Sequence, residues 1–185
     1  MSSGPGVFLM GLRGSGKSTL GCALAEELEL PFTDSDEELE RENRRSCARM
    51  LEEDGIESFR QAEARLYLRL GPRLHLWPCV LALGGGTLEA PGVQPLMEAL
   101  KARGGWVGVW LEAAPEVLAA RSDGASRPRL VGRSAEEEAR LLLARRGASF
   151  ARLSDLRFET GSGNVTELAR ELAASMRQRG VGQPC

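Results

Sequence analysis

Gly11-Leu12-Arg13-Gly14-Ser15-Gly16-Lys17-Ser18 is the stretch on which the fold of this chain turns. It satisfies the pattern G-x-x-x-x-G-K-[ST] at every fixed position. A short apolar run at residues 7–10 precedes it, and Leu20, Ala23, Leu24 and Leu28 follow at spacings of three or four. That order predicts a buried strand, a tight loop and a helix. The residue types have physical reasons. Gly11, Gly14 and Gly16 let the backbone turn sharply and aim N–H groups inward at phosphate oxygens. The helix that follows adds the positive end of its dipole. Lys17 has the reach for β- and γ-phosphates, and the Ser18 hydroxyl is a ligand for Mg2+. The rival for a glycine-rich turn is the dinucleotide fingerprint. It fails here, because Thr19 stands where its third Gly or Ala belongs and Lys17-Ser18 stand where they do. Gly14, Ser15, Gly16, Lys17, Ser18 and Thr19 are therefore the expected nucleoside-triphosphate-binding set.

Outward from this loop, strand and helix patterns alternate. Apolar runs at residues 79–83 and 106–111 are short and turn-bounded, as buried parallel strands are. Weaker strand candidates lie at residues 31–33 and 156–159. Helical patterns fall at residues 18–28, 37–53, 57–70, 92–103, 115–121, 134–145 and 165–177. Alternation of this kind predicts an α/β fold, a parallel sheet covered by helices on both faces. Two segments interrupt it. Residues 34–63 hold two helical stretches between the second and third strands, an expected substrate-binding subdomain. The part from Asp34 to Glu57 carries ten acidic residues against four Arg. Residues 122–134 are rich in Gly, Ser and Arg, and read either as an exposed loop or as a lid over an anionic substrate.

Composition narrows the function classes. The chain has 185 residues with 24 basic against 26 acidic, a formal charge of −2. At 42% hydrophobic and 27% charged it has the balance of one soluble domain spanning residues 1–185. No apolar run approaches the ~20 residues of a spanning helix. The start, Met1-Ser2-Ser3-Gly4-Pro5-Gly6, lacks the basic and apolar regions of a secretion signal, so a cytoplasmic protein is expected. Without a basic excess, neither nucleic acid nor membrane is an expected partner. His75 is the single histidine, which excludes a multi-histidine metal site. Cys22, Cys47, Cys79 and Cys185 are far apart, with no C-x-x-C spacing. Cys22 and Cys79 are expected as small buried hydrophobes. Trp77, Trp106 and Trp110 are expected in the core or at a sheet edge, and residues 180–185 as a frayed tail.

The acceptor must come from elsewhere in the sequence. Asp34-Ser35-Asp36 follows the second strand; on an extended segment both carboxylates face one side, at the sheet edge where such folds bind ligands. One would serve a Mg2+ shell and the other a substrate hydroxyl. The alternative for Asp36 is capping of a helix that starts at Glu37. Arg60 and Glu63 are three apart on a helix and pair there, leaving Arg60 to clamp a carboxylate or merely to form a surface ion pair. Gly84-Gly85-Gly86 ends the third strand, where N–H groups approach a ligand closely or the chain simply turns.

In order and spacing, these residues resemble those of shikimate kinases, a nucleoside-monophosphate-kinase-like branch of phosphate-loop proteins, from about Val7 to Glu171. The resemblance implies a three-layer α/β/α fold with a five-stranded parallel sheet in the order 2-3-1-4-5. It also implies transfer of the γ-phosphoryl of ATP to the 3-hydroxyl of shikimate with Mg2+, by a monomer. Asp36 resembles the Asp that receives the hydroxyl proton, and Asp34 its partner toward the metal beside Ser18. Arg60 and Arg146 resemble the pair gripping the shikimate carboxylate, with Glu63 orienting the first. Gly84, Gly85 and Gly86 resemble the substrate wall. Arg127 resembles the lid arginine that joins Lys17 at the phosphates, and Arg121 the residue stacked on adenine. Departures from the family pattern fall at Ile56, Arg129, Ala148 and Phe150. The rival readings are a gluconate or nucleoside monophosphate kinase, and an inactive ATP-binding module.

Overall fold

Val7, Phe8, Leu9 and Met10 alternate their side chains between two faces of a strand, and both faces are apolar. β1 (Gly6–Met10) is accordingly buried along its whole length. It is the centre of a five-stranded sheet in the computed structural model, which describes residues 5–103, 105–122, 130–131 and 134–182. The other strands are β2 (Phe32–Asp34), β3 (Val80–Ala82), β4 (Trp106–Glu112) and β5 (Leu156–Glu159). The order is β2-β3-β1-β4-β5 and every pair is parallel, with Val7 opposite both Val80 and Val107. Parallel strands need crossovers, and among the described residues six helices supply them, α1 (Lys17–Leu28), α2 (Ser35–Asn43), α3 (Cys47–Leu76), α4 (Val93–Ala102), α5 (Pro115–Ser122) and α6 (Ala135–Leu153), while α7 (Val165–Arg177) follows the last strand.

Two cores follow from the two apolar faces. Val7 and Leu9 point into one with Leu24, Val109, Phe158 and Leu172, beneath α1 and α7. Phe8 and Met10 point into the other with Leu66, Met97, Trp110 and Leu153, beneath α3, α4 and α6. The end of α6 lies close on β4, where a side chain on Gly108 would stand 2.2 Å from the Leu153 carbonyl. Among the described residues, no helix is long and apolar enough to cross a membrane.

Several expectations need correction. The predicted helices at residues 37–53 and 57–70 are instead α2 and a long α3 that bends at Gly55, where φ is 78° and ψ 170°. α3 runs past Pro72, which offers no N–H to the Leu68 carbonyl four residues back, and Leu68 lies on the exposed side of the helix. Cys22 is exposed on α1, beside the buried Gly21, whereas Cys79 is buried and its thiol pushed up to about 11 by desolvation. Trp106 and Trp110 are core residues, but Trp77 sits just beyond the end of α3 and is 61% exposed. The chain end is not all frayed: Val181 is fully buried against α1 and α7, and its N–H donates to the Met176 carbonyl at 3.1 Å.

Candidate active site

The phosphate loop lies where it must to use the helix dipole, between the C-terminal end of β1 and the first turn of α1. Gly14 has φ 81°, and a side chain there would stand 2.6 Å from the Leu118 carbonyl. The Lys17 ammonium lies back over the loop, donating to the carbonyls of Gly11 at 3.0 Å and Leu12 at 2.9 Å and to Ser15 Oγ at 3.4 Å. The loop is tied down from the far side of the sheet by Thr160, whose Oγ1 lies 3.0 Å from the carbonyls of Ser15 and Glu112.

Ser18 Oγ donates to Asp34 Oδ2 at 2.5 Å. The other oxygen of Asp34 accepts from the N–H groups of Asp36 at 2.8 Å and Glu37 at 3.4 Å. Asp34, not Asp36, is therefore the helix cap, and α2 begins at Ser35. The two carboxylates do not share an extended segment: Asp34 closes β2 and Asp36 stands in the first helical turn. They still face one cavity, because the cap turns the chain at that point.

The other half of the cavity is built from α3, α6 and a 3-10 turn at Thr87–Glu89. Arg60 and Arg146 are buried, at 9% and 7% side-chain exposure. Arg60 Nη1 donates to Glu63 Oε2 at 2.6 Å, and Thr87 Oγ1 donates to the other Glu63 oxygen at 2.5 Å. Arg146 Nη1 donates to the Gly85 carbonyl at 3.1 Å, while its buried Nε has no hydrogen-bond partner among the described residues. Both guanidiniums converge on Gly86, where a Cβ would stand 2.2 Å from Arg60 Nη2 and 2.7 Å from Arg146 Nη2. Burial pushes the Glu63 carboxyl up, aided by the charge of Asp36 and opposed by Arg60 and Thr87.

A cavity of about 660 Å³ joins the two halves. Gly14 to Thr19, Asp34, Asp36, Arg60, Gly85, Gly86, Arg121 and Arg146 line it, so nearly all of the residues singled out in the sequence meet in one place. Gly84 is different. Its N–H donates to Ser35 Oγ at 2.8 Å, and it is not among the described lining residues. Arg121 Nη2 donates to the Thr160 carbonyl at 2.8 Å, at the nucleotide end. Arg127 and Arg129 lie outside the described residues, as does most of the segment 122–134.

With this geometry in hand, the comparisons with known proteins are decisive. A family model described as Shikimate kinase matches residues 13–177. A Shikimate kinase of Cereibacter sphaeroides is 37% identical over 174 residues, 94% of this chain and 83% of the relative. The chain belongs to the shikimate kinase family. Among solved structures, the shikimate kinase of Acinetobacter baumannii in complex with shikimate superposes with a TM-score of 0.83 at 28% identity, covering 94% of this chain and 93% of that one. A gluconokinase of Sinorhizobium meliloti shares only the fold, with a TM-score of 0.59 at 22% identity.

Relative to other shikimate kinases, the departures noted in the sequence divide by location. Ile56 lines the cavity and is 40% exposed. Phe150 is buried against Trp110, ring centroids 5.6 Å apart, and Ala148 is exposed. Sequence reasoning missed Ser35, Thr87, Glu89 and Thr160. The first three flank motifs already singled out, but nothing in the sequence distinguishes a residue that braces a motif from one that merely follows it.

Proposed function

We propose that this chain transfers the γ-phosphoryl of ATP to the 3-hydroxyl of shikimate, giving shikimate 3-phosphate and ADP. The observation that carries this reading is the pair of buried guanidiniums, Arg60 and Arg146, set in the same cavity as Lys17 and Asp36. Glu63 and Glu89 hold the two arginines from within the protein, and a planar substrate carboxylate matches the fork geometry of their guanidiniums. The unpartnered Nε of Arg146 is a donor that such a carboxylate would satisfy.

Phosphoryl transfer depends on positioning and charge neutralisation. In this reading the loop N–H groups and the positive end of α1 hold the phosphates, and Lys17 exchanges its carbonyl partners for β- and γ-oxygens. Arg121 flanks the adenine end, and Arg127 adds a cation at the phosphates. Arg60 and Arg146 fix the acceptor by its carboxylate, with Gly85 and Gly86 as the wall behind it. One hydroxyl then faces the γ-phosphorus beside Asp36, whose carboxylate takes the proton as the new O–P bond forms and the bond to ADP breaks.

Ser18 Oγ and Asp34 Oδ2 are adjacent hard oxygen donors, which suit Mg2+ arriving with ATP and holding most of its ligands as water and phosphate. Bound there, the ion would neutralise charge shared by the β- and γ-phosphates. Among the described residues no group of three or more acidic, His or Cys side chains could hold a metal unaided, which fits a nucleotide-borne ion. Every residue that this reading uses belongs to one chain, and the reading takes the protein to act as a monomer in the cytoplasm.

ADP release from Mg-ATP with shikimate, gluconate, AMP or water as sole acceptor tests the reading. Turnover is expected to depend on shikimate; a rate no higher than with water refutes it. Asp36→Asn should retain ATP binding and lose about 10²–10⁴-fold in kcat. Undiminished turnover would remove Asp36 from the chemistry.

A further inference from the structure

Glu89 has a place in this site that neither motif nor spacing announces. Its Oε2 accepts from Arg60 Nη2 at 2.9 Å and from Arg146 Nη2 at 2.8 Å, so one oxygen joins two helices, α3 and α6. Its Oε1 lies 2.7 Å from Arg145 Nε. The backbone explains how the residue gets there. The Glu89 N–H donates to the Gly86 carbonyl at 2.9 Å, closing the 3-10 turn directly behind the triple glycine. That same turn supplies Thr87, which holds Glu63, which holds Arg60. Both arginines line the cavity, whereas Glu89 is not among the described residues that do. Its carboxylate therefore holds the Nη2 of each guanidinium, while Glu63 and the Gly85 carbonyl hold the Nη1 groups.

Two consequences follow from elementary electrostatics. Arg60 and Arg146 each reach the same oxygen, so without an anion between them their like charges would drive them apart. With it, the guanidiniums of Arg60, Arg145 and Arg146 share the carboxylates of Glu63 and Glu89, and Asp36 adds a further negative charge that acts on Glu63. Desolvation by itself would raise Glu89, but the hydrogen bond from Arg146 and the charges of Arg146, Arg60 and Arg145 outweigh it and hold the carboxyl below its ordinary value.

We infer that Glu89 is a positioning residue for the acceptor: it ties Arg60 and Arg146 into a single carboxylate fork and sets the charge that the fork presents. The inference rests on the reading of that pair as the grip on the shikimate carboxylate. It differs from a placeholder role, in which a carboxylate on the cavity side would compete with substrate. Glu89 is not among the described residues that line the cavity, so its removal is expected to weaken acceptor binding instead of strengthening it.

The test compares wild type, Glu89→Ala, Glu89→Gln, Glu89→Asp and Arg60→Ala, using steady-state kinetics and calorimetric binding of shikimate and of its methyl ester. Glu89→Ala should raise KM for shikimate about tenfold while KM for ATP and kcat stay within about twofold. The preference for shikimate over the ester should shrink by the same factor, because the ester lacks the charge that the fork reads. Glu89→Gln should fall between, and Glu89→Asp should recover part of the loss. If Glu89→Ala does not fold, the nearly isosteric Glu89→Gln carries the comparison. An unchanged preference in the Glu89 variants, with Arg60→Ala losing it, overturns the inference alone. If wild type shows no preference for shikimate over the ester, the arginine reading falls and this inference with it. A tighter grip on shikimate in Glu89→Ala also overturns it, in favour of a placeholder.

Discussion

Gly86 shows how a single position divides stability from function. The atoms a Cβ would meet, Arg60 Nη2 and Arg146 Nη2, are the far ends of flexible side chains, not backbone. A methyl group there moves the two guanidiniums without moving the sheet. Gly86→Ala should therefore melt within a few degrees of wild type yet raise KM for shikimate about tenfold or more, with KM for ATP little changed. Equal rises for both substrates would mean that the turn itself had shifted. At Glu89 the discriminating variable is pH. Its folded-state carboxyl lies below the ordinary value of 4.5, so its contribution to stability is complete above that pH and fades as acid brings the folded form to protonation. The melting difference between wild type and Glu89→Gln should be largest near pH 6–7 and narrow below about 4.5. Glu63 has the opposite sign. Burial raises its carboxyl, so its charged form carries a folding cost that acid relieves. A difference that instead widened in acid would show that Glu89 is not held ionised by its arginines.

At the scale of elements, α3 is where sequence and structure part most clearly. The break in helical pattern around Gly55 was legible, because the acidic run ends there and a new apolar spacing begins. Its physical form was not: the chain bends through one residue and resumes, and α3 continues to Leu76 with Leu70 and Leu74 buried on either side of Pro72. Gly55 has open space at its Cβ, but φ 78° with ψ 170° is a region that only glycine occupies without strain. Gly55→Ala should cost about 1–3 kcal/mol in denaturant unfolding, through the backbone alone. A neutral result would mean the bend relaxes into continuous helix. The strands were readable because each is a short apolar run between turns, and the phosphate loop because its glycines, Lys17 and Ser18 are contiguous. Cys22, Trp77 and Val181 were misplaced because local apolarity does not say which face of a helix, or which side of its end, the fold covers. Glu89 was unreadable for a related reason. Its partners Arg60 and Arg146 lie 29 and 57 residues away, and only the closed sheet brings α3 and α6 to the same turn.

For the whole molecule, the two halves of the site are carried by different parts of the fold. The phosphate loop belongs to β1 and α1, braced from β5 through Thr160, with α1 in the core it shares with α7. The acceptor fork belongs to α3, α6 and the turn at Thr87–Glu89, with both helices in the core on the opposite face of the sheet. Ligands that bind only the folded state stabilise it by RT ln(1 + [L]/Kd), about 2.7 kcal/mol at a hundredfold excess over Kd. For a chain of this size that corresponds to a rise in Tm of roughly 5–10 °C. Because the two subsites sit on separate elements, their shifts should be separable by mutation. Arg60→Ala or Arg146→Ala should abolish the rise produced by shikimate and keep most of that produced by ATP with Mg2+. Lys17→Ala should do the reverse. The cavity is nevertheless continuous, with Asp36 lining it alongside both subsites, so in wild type a non-hydrolysable ATP analogue and shikimate together should give a rise at least equal to the sum of the two alone. A combined shift clearly below that sum would mean that the ligands compete for one space, and would place the acceptor outside the fork formed by Arg60 and Arg146.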